Sequence, residues 1–299
     1  FYKVFEGVYA VMGIFDGCLL ASDIDGTLLA SGYLPQRNID AVEYFVSQGG
    51  AFSLATGRSI GAVSSVTAKI KKLSPSVTCN GAVIYDYNKR KILHSVGLCD
   101  KDKQVISEIK MRFPSVGIEL HSGEEVLTLP RSEATDLHQQ YEDLPTKTVT
   151  FDDIAEITLN KALLAFDSPR QRDETAAFLK TADADGDFVN TTAEIGGEIK
   201  YYCELLPRGV SKAAGLEILC KMLNIKKGCY FAIGDYYNDL EMLKAADASA
   251  VPEESPDDIK AVADTVVGGV RNGAVADFIE YIKQRLTAEG GKTEKKGCK

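Results

Sequence analysis

The sequence lacks the cysteine and histidine patterns that indicate a metal-binding or disulfide-linked protein. Its seven cysteines are odd in number, scattered along 299 residues and never arranged as a C-x-x-C pair. They provide neither the spacing of a zinc site nor a disulfide framework. His94, His121 and His138 are not spaced as metal ligands either. We therefore expect a protein of a reducing compartment, the cytoplasm.

The sequence also lacks a long apolar run and an excess of positive charge. No stretch approaches the roughly 18 uninterrupted apolar residues of a membrane span. The segment Phe1–Phe15 has no basic start and no small-residue cleavage site, so we do not expect a signal peptide. With 34 Lys and Arg against 43 Asp and Glu, the net charge is −9. This balance argues against nucleic-acid and anionic-membrane partners.

What the sequence does contain is an alternation of strand and helix patterns at both ends of the chain. After the apolar run at 18–20, the pattern predicts in turn helix 35–46, strand 51–55, helix 60–73 and strand 76–79. It resumes near residue 203 with strands 229–233, 248–251 and 265–267 between helices 211–223, 239–246, 256–262 and 274–285. This alternation predicts an α/β fold with a doubly wound parallel sheet, whose ligands lie beyond the carboxyl ends of the strands.

The middle of the chain follows another pattern, with hairpin-like strands at 92–97, 117–120 and 125–129 and a helix at 101–112. An antiparallel α+β insertion is the natural interpretation. We therefore predict a discontinuous core of residues 12–84 and 203–287, an inserted α+β domain of residues 85–202, and flexible ends at residues 1–11 and 288–299.

Two aspartates, Asp23 and Asp25, follow the first strand. Side chains at i and i+2 leave the same face of a strand, so both carboxylates would project from one strand end. Their repulsion favours either a raised pKa or a bound cation. Gly26 lets the chain turn sharply and lets backbone N–H groups approach an anion. An isolated D-x-D-G is about as often a solvated turn, so the rest of the chain must decide.

A second acidic cluster, formed by Asp235, Asn238 and Asp239, follows the strand at 229–233. Alone, Asn238 and Asp239 would be routine residues of a helix start. In a doubly wound sheet, however, both strand ends open on the same edge, so these carboxylates would crowd together with those of the first cluster. Such crowding is very costly without a cation, and oxygen ligands suit Mg²⁺.

Two more segments at predicted strand or helix ends complete a candidate phosphate site. Thr56, Gly57 and Arg58 offer a hydroxyl and backbone N–H groups, and Lys212 offers an ammonium at the start of another helix. Taken singly, Thr56 could be a helix cap and Lys212 a surface lysine. Their order along the chain, between the two acidic clusters, favours the functional interpretation.

With these motifs in register, the sequence resembles the haloacid dehalogenase superfamily, and within it the Cof-like phosphatases with a large α/β cap. The resemblance covers residues 18 to about 283 and is carried by the segments 23–28, 55–58, 80–82, 209–212 and 234–239. One departure stands at Pro252, Glu253 and Glu254, where relatives often have a G-N-A turn. The extra acids put in doubt any substrate or product contact usually made there.

The resemblance implies a role for each motif residue. Asp23 would be the nucleophile that forms an aspartyl-phosphate, and Asp25 the general acid and base, with a pKa raised by burial when the cap closes. Thr56 and Lys212 would hold the transferring phosphoryl group. The implied phosphate or substrate ligands are Gly26, Thr56, Gly57, Arg58, Lys212 and Asn238. The implied Mg²⁺ ligands are Asp23, Asp25 through its backbone carbonyl, Asp235 and Asp239.

We therefore expect a Mg²⁺-dependent phosphomonoesterase acting on a small phosphorylated metabolite such as a sugar phosphate. A phosphomutase or phosphotransferase on the same scaffold would return the phosphoryl group to another hydroxyl instead of to water. A third possibility is a phosphometabolite-binding regulator without turnover, against which the intact Asp23, Asp25, Lys212 and Asp235 weigh. Neither the identity of the substrate nor the oligomeric state follows from the sequence.

Overall fold

The computed structural model describes residues 2–5, 8–11, 13–129, 132–142, 145–195 and 198–294. The strands are β1 (Tyr2–Phe5), β2 (Val8–Val11), β3 (Leu19–Ser22), β4 (Ala51–Leu54), β5 (Ser76–Thr78), β6 (Val83–Asp86), β7 (Lys91–Ser95), β8 (Gly117–Ser122), β9 (Glu125–Thr128), β10 (Thr146–Thr148), β11 (Lys161–Ala165), β12 (Asp187–Ile195), β13 (Glu198–Leu206), β14 (Tyr230–Ile233), β15 (Ala248–Pro252) and β16 (Thr265–Val267). The helices are α1 (Gln36–Ser47), α2 (Ser64–Thr67), α3 (Asp100–Arg112), α4 (Glu133–Glu142), α5 (Phe151–Ala155), α6 (Pro169–Leu179), α7 (Lys212–Leu223), α8 (Leu240–Ala245), α9 (Asp257–Lys260) and α10 (Ala274–Glu294).

A five-stranded parallel sheet organises the two ends of the chain, with strand order β16-β15-β14-β3-β4. Strands β3 and β14 are neighbours although about 200 residues separate them, and Ser22 pairs with Ile233 at their carboxyl ends. The predicted α/β fold with a doubly wound parallel sheet is confirmed. Because the strands are parallel, the residues that follow β3 and β14 emerge side by side at one edge.

Helices cover both faces of this sheet, which explains why its central strands are buried and mostly apolar. Leu20 of β3 packs with Phe45 of α1 and Phe278 of α10 in one buried cluster. Leu19 faces the other way and packs with Leu216 of α7 in a second cluster. This alternation follows from the two-residue period of a strand, and it fixes the direction in which the side chain after β3 leaves the sheet.

Two segments depart from the predicted alternation. Strand β5 pairs antiparallel with β6 in a separate three-stranded sheet, and one isolated bridge between Ala55 and Val77 joins it to the parallel sheet. The helix predicted over 60–73 is a 3₁₀ turn at Gly61–Val63 followed by the short α2. Residues 68–73 are not helical although alanine, lysine and leucine dominate them, so helix propensity does not explain where this helix ends.

The middle of the chain forms a six-stranded sheet of order β10-β9-β8-β11-β13-β12, in which only the β9–β10 pair is parallel among the described strands. Its apolar face packs against α3, α5 and α6 through residues such as Ile118, Ile106 and Ile154. Its other face carries the charged residues Lys161 and Glu204, which are buried. This is the predicted antiparallel α+β insertion.

The predicted domain limits remain a prediction. The boundaries at 84/85 and 202/203 fall inside β6 and β13. Of the predicted flexible ends, the backbone of β1 and β2 forms an antiparallel pair, and α10 continues to Glu294 instead of stopping at Arg285. Residues 1, 6–7, 12 and 295–299 lie outside the described residues. Among the helices of the described part, none combines the length and apolar character needed to cross a membrane.

Candidate active site

Three carboxylates meet at the carboxyl edge of the parallel sheet. Asp23 directly follows β3, and its backbone N–H donates to the carbonyl of Ile233 at the end of β14 (2.9 Å), which ties the two strand ends together. Asp235 and Asp239 follow β14. Carboxylate oxygens of Asp23, Asp235 and Asp239 lie within 4.8 Å of one another. Of the carboxylates predicted to crowd together, the structure therefore brings together Asp23, Asp235 and Asp239.

Lys212 enters this group from the first turn of α7, whose preceding residue, Ser211, accepts a hydrogen bond from Ala214 N–H as helix cap. The Lys212 ammonium donates to Asp23 Oδ1 (2.6 Å) and to Asp239 Oδ1 (2.7 Å). Its side chain is only 1% exposed. Burial alone would lower the pKa of Lys212, but the two carboxylates outweigh it and raise the pKa above its ordinary value. Lys212 is therefore a permanent cation.

Asp239 is held on both oxygens. Oδ1 accepts from Lys212, and Oδ2 accepts the backbone N–H groups of Asp235 (3.0 Å) and Tyr236 (3.2 Å). Asp235 is held differently, because Thr27 donates its hydroxyl to Oδ1 (2.9 Å). Asp239 thus fixes the loop and the ammonium, whereas Asp235 keeps more lone pairs available. This arrangement favours Asp235 over Asp239 as a direct ligand of a cation.

Gly26 is required by two independent features of the turn after β3. Its φ is +80°, a left-handed conformation that glycine adopts without strain. A Cβ at this position would also lie 2.3 Å from Asp235 Oδ2. The turn therefore packs directly against the carboxylate of the second acidic cluster.

The side chain of Asp25 lies outside the three-carboxylate group, contrary to its predicted place among buried acids. It is 48% exposed and accepts two hydrogen bonds from Arg58, from Nε to Oδ2 and from Nη2 to Oδ1, both 2.7 Å. The bidentate geometry of guanidinium and carboxylate explains why Asp25 turns away. Arg58, predicted to bind phosphate, is correspondingly committed to Asp25 and to the carbonyl of Ala62.

Thr56 lies two residues after the end of β4, and it is 2% exposed. Its Oγ1 accepts the backbone N–H of Arg58 (3.1 Å), so the hydroxyl proton is left to be donated elsewhere. Gly57 is partly exposed and Asn238 is exposed, in a 3₁₀ turn at Tyr237–Asp239. The predicted roles of Gly57 and Asn238 stay predictions.

The charges of the group do not balance within the protein. Asp23, Asp235 and Asp239 face one ammonium, which leaves two negative charges when all three acids are ionised. Burial, reinforced by the neighbouring acids against the pull of Lys212, raises the pKa of Asp23 well above its usual range. Burial and Asp239 raise the pKa of Asp235 to about 6, against opposing effects of Thr27 and Lys212. Closely spaced oxygen donors with uncompensated charge suit a hard divalent cation.

This imbalance leads to a stability prediction for Asp235→Asn. The folded-state pKa of Asp235 is raised, so its ionised form destabilises the metal-free protein as pH rises from its ordinary value through about 6. At pH 8 the metal-free variant should therefore be more stable than the wild type, by about 1–3 kcal/mol. At the same time it should lose most of the stabilisation that Mg²⁺ gives the wild type. Urea unfolding with EDTA and with Mg²⁺ measures both effects.

The matched control is Glu43→Gln, which removes one negative charge from an exposed position on α1. Its stability with and without Mg²⁺ should match that of the wild type. A loss of stability in metal-free Asp235→Asn at pH 8 would contradict the charge imbalance.

Four residues of this region were not predicted as site residues. Thr27 binds Asp235, and Asn80, Lys161 and Glu204 form a buried hydrogen-bonded set beside Gly57. Thr27 and Asn80 lie within the motif segments 23–28 and 80–82, whose pattern alone does not predict a role for either side chain. Lys161 and Glu204 belong to strands β11 and β13 of the six-stranded sheet, where nothing in the local sequence separates them from surface charges.

The acids that replace the expected G-N-A turn have a local partner. Glu254 accepts the backbone N–H of Val270 on both carboxylate oxygens, at 3.1 and 3.2 Å. Val270 begins the 3₁₀ turn Val270–Asn272 that follows β16. Glu254 therefore fixes the approach to α10. Glu253 is exposed.

Comparisons with known proteins agree with the fold. The chloroplastic endoribonuclease YBEY of Arabidopsis thaliana is 28% identical over 275 residues, which are 86% of this chain and 45% of that protein, so the chain spans less than half of its length. A structure of a haloacid dehalogenase-like hydrolase from B. subtilis superposes with TM-score 0.72 at 23% identity, covering 88% of this chain and 98% of that one. A subclass IIB sugar phosphatase superposes with TM-score 0.73 at 18% identity, covering 88% and 98%.

The family assignment rests on a wider match than any of these single proteins. The sequence profile of the haloacid dehalogenase-like hydrolases matches residues 20–279, which include both acidic clusters, Thr56 and Lys212. The resemblance of the motifs to the Cof-like phosphatases of that superfamily is thereby confirmed. The chain belongs to the haloacid dehalogenase-like hydrolase family.

Proposed function

We propose that this protein is a Mg²⁺-dependent phosphatase that hydrolyses phosphomonoesters of small metabolites through an aspartyl-phosphate on Asp23. The observation that carries the proposal is the Asp23 carboxylate, buried beside a permanently charged Lys212 and within 4.8 Å of Asp235 and Asp239. The family match supports a hydrolase, and the sugar phosphatase of the same fold supports phosphate monoesters as substrates. The subclass IIB enzyme with the same fold is named a sugar phosphatase, so sugar phosphates are the first substrates to test.

Asp23 is suited to attack phosphorus because its Oδ1 is fixed by a hydrogen bond, whereas its Oδ2 is left to act as the nucleophile. Oδ1 accepts from Lys212, which fixes the orientation of the carboxylate. Attack by a carboxylate on a phosphate dianion suffers like-charge repulsion, and the Lys212 ammonium offsets part of it. The free proton of the Thr56 hydroxyl supplies a further donor for the transferring group. Asp23 would become an acyl phosphate, which water then hydrolyses.

Asp25 would protonate the leaving oxygen and then activate water. In the described structure its carboxylate is bound by Arg58, so it must be released before it can act. We expect the phosphate group of the substrate to compete with Asp25 for the guanidinium, because both anions fit its paired donors. Arg58 would then bind phosphate, as the sequence predicted, and substrate binding would free the acid.

The residues present fit Mg²⁺. Asp23 and Asp235 would provide carboxylate oxygens, the backbone carbonyl of Asp25 a third, and Asp239 would orient the loop through its contacts with Asp235 N–H and Lys212. When bound, Mg²⁺ would neutralise the two excess charges and polarise the phosphoryl oxygens. This assignment moves Asp239 from a predicted ligand to a residue that holds the ligands in place.

The test is a phosphatase assay with an aryl phosphate, followed by a screen of phosphorylated metabolites. Release of inorganic phosphate should require Mg²⁺ and stop on addition of EDTA. Transfer of the phosphoryl group to an added alcohol instead of to water would indicate a phosphotransferase. Binding of phosphorylated metabolites without any turnover in the presence of Mg²⁺ would overturn the proposal in favour of a regulator.

A further inference from the structure

The loop Thr56–Arg58 is bound through its backbone carbonyls by the segment that follows β5. Asn80 N–H donates to the carbonyl of Thr56 (3.0 Å), and Cys79 N–H donates to that of Arg58 (2.9 Å). Asn80 also packs on the loop, because a Cβ at Gly57 would lie 2.9 Å from its Oδ1. Both outer carbonyls of the loop therefore accept hydrogen bonds from one neighbouring segment.

The remaining carbonyl, that of Gly57, is bound from the six-stranded sheet. Lys161 of β11 donates from Nζ to this carbonyl (2.9 Å) and to Glu204 Oε1 on the adjacent strand β13 (2.7 Å). The other carboxylate oxygen of Glu204, Oε2, accepts a hydrogen bond from Asn80 Nδ2. The side chains of Lys161 and Glu204 are 4% and 7% exposed. Buried charges are costly unless paired, so each holds the other in position.

The bond to Gly57 has a consequence for the phosphate donor. A peptide unit is planar, and the carbonyl of Gly57 belongs to the same unit as the N–H of Arg58. That N–H donates to Thr56 Oγ1. When Lys161 fixes the carbonyl end of the unit, it also fixes the N–H end, and hence the direction in which the Thr56 hydroxyl can donate.

We propose that Lys161, held by Glu204, is a positioning residue that aims the Thr56 hydroxyl at the transferring phosphoryl group through the Gly57–Arg58 peptide. The inference rests on the proposed function, since it assigns Thr56 a phosphate to bind. It also makes the phosphate site depend on the six-stranded sheet, because β11 of that sheet carries Lys161, the donor to the Gly57 carbonyl. If the sheet moved away from the loop, Lys161 would no longer hold the Gly57–Arg58 peptide.

A double-mutant cycle between Lys161 and Thr56 tests this directly. Lys161→Met removes the ammonium and keeps most of the side-chain volume, and Thr56→Val removes the hydroxyl. We expect kcat/KM to fall about 10- to 100-fold for Lys161→Met and about 100-fold for Thr56→Val. If Lys161 acts through Thr56, the double variant should lie within about 3-fold of Thr56→Val alone. Losses that multiply would overturn the proposal.

Lys110→Met is the matched control. Lys110 is also a buried lysine whose ammonium donates to backbone carbonyls, those of Pro114 (2.7 Å) and Val116 (2.8 Å), but it lies on α3 away from the site. Its removal should leave kcat/KM unchanged and give no coupling with Thr56→Val. If Lys110→Met lowered kcat/KM as much as Lys161→Met, loss of any buried lysine near this sheet would reduce activity. That result would contradict a positioning role for Lys161.

A second readout separates this inference from the proposed function. Calorimetric binding of inorganic phosphate in the presence of Mg²⁺ should weaken in Lys161→Met and in Thr56→Val, and the double variant should not weaken further. If the wild type hydrolyses no phosphomonoester, the proposed function fails while this binding cycle still tests the inference. If Lys161→Met does not fold, Glu204→Gln takes its place and should show the same coupling with a smaller loss.

Discussion

Asp23→Asn should fold and lose phosphatase activity by about 10⁴-fold or more. An amide oxygen can still accept the Lys212 hydrogen bond that Asp23 Oδ1 accepts at 2.6 Å, so the side chain keeps its place. It carries no charge to attack phosphorus, however, and cannot form the acyl phosphate. Steady-state kinetics with an aryl phosphate and Mg²⁺ measure the loss.

The stability of Asp23→Asn distinguishes loss of the nucleophile from loss of the fold. Burial raises the pKa of Asp23, so its ionised form destabilises the metal-free protein increasingly as pH rises above its ordinary range. The metal-free variant should then be at least as stable as the wild type at neutral pH. Asp16→Asn is the control, because Asp16 binds Lys226 at the opposite edge of the sheet, and its activity should be unchanged. Activity of Asp23→Asn within 10-fold of the wild type would refute the assigned nucleophile.

Lys212→Met should reduce both stability and activity severely. The ammonium is the shared partner of Asp23 and Asp239, all three side chains being at most 9% exposed. Removing one member of a buried ionic set leaves uncompensated charge, which costs about 3–5 kcal/mol at neutral pH. Loss of the cation beside the transferring phosphoryl group should also lower kcat by about 10³-fold. Urea unfolding and steady-state kinetics measure the two effects.

The pH dependence of the loss follows from the charges. The pKa of Lys212 is raised in the folded protein, so its contribution to stability is complete below its ordinary pKa and is lost only as pH rises through the folded value. The wild type therefore keeps this contribution over the whole neutral range. In Lys212→Met the remaining carboxylates can take up protons, so the deficit should shrink as pH falls towards 5.

Lys226→Met is the control for this variant, because Lys226 binds Asp16 in an exposed pair at 3.0 Å. Exposed ion pairs contribute at most about 1 kcal/mol, so its loss should be small and independent of Mg²⁺. A Lys212→Met protein as stable as Lys226→Met at pH 8 would show that the buried ammonium does not compensate the acidic cluster.

The local sequence was sufficient to predict which residues converge, because a topological rule relates strand patterns to positions in the fold. The apolar runs before Asp23 and Asp235 predict buried parallel strands, and neighbouring parallel strands release their following residues at one edge. The convergence of Asp23, Asp235 and Asp239 could therefore be predicted without coordinates. The sequence similarly predicts a helix from residue 211, and the structure places Lys212 in the first turn of α7.

The local sequence was insufficient to predict which partner a side chain binds when several are within reach. Asp25 was expected among the buried acids, but Arg58, 33 residues away in sequence, offers two donors in a better geometry. The cation-binding role of Asp239 stays a prediction, and only the structure shows that its oxygens also accept hydrogen bonds from Lys212 and from two backbone N–H groups. Such choices depend on distances across the fold, which strand and helix periodicities do not encode.

By itself, the sequence determined the doubly wound sheet, the inserted α+β segment and the set of residues that reach one edge, because these follow from periodicity and strand order. Tertiary structure alone decided that Asp25 pairs with Arg58 and that Lys161 of β11 reaches the carbonyl of Gly57, 104 residues away. The physical reason is that buried charges are satisfied by whichever donors packing brings within hydrogen-bond distance.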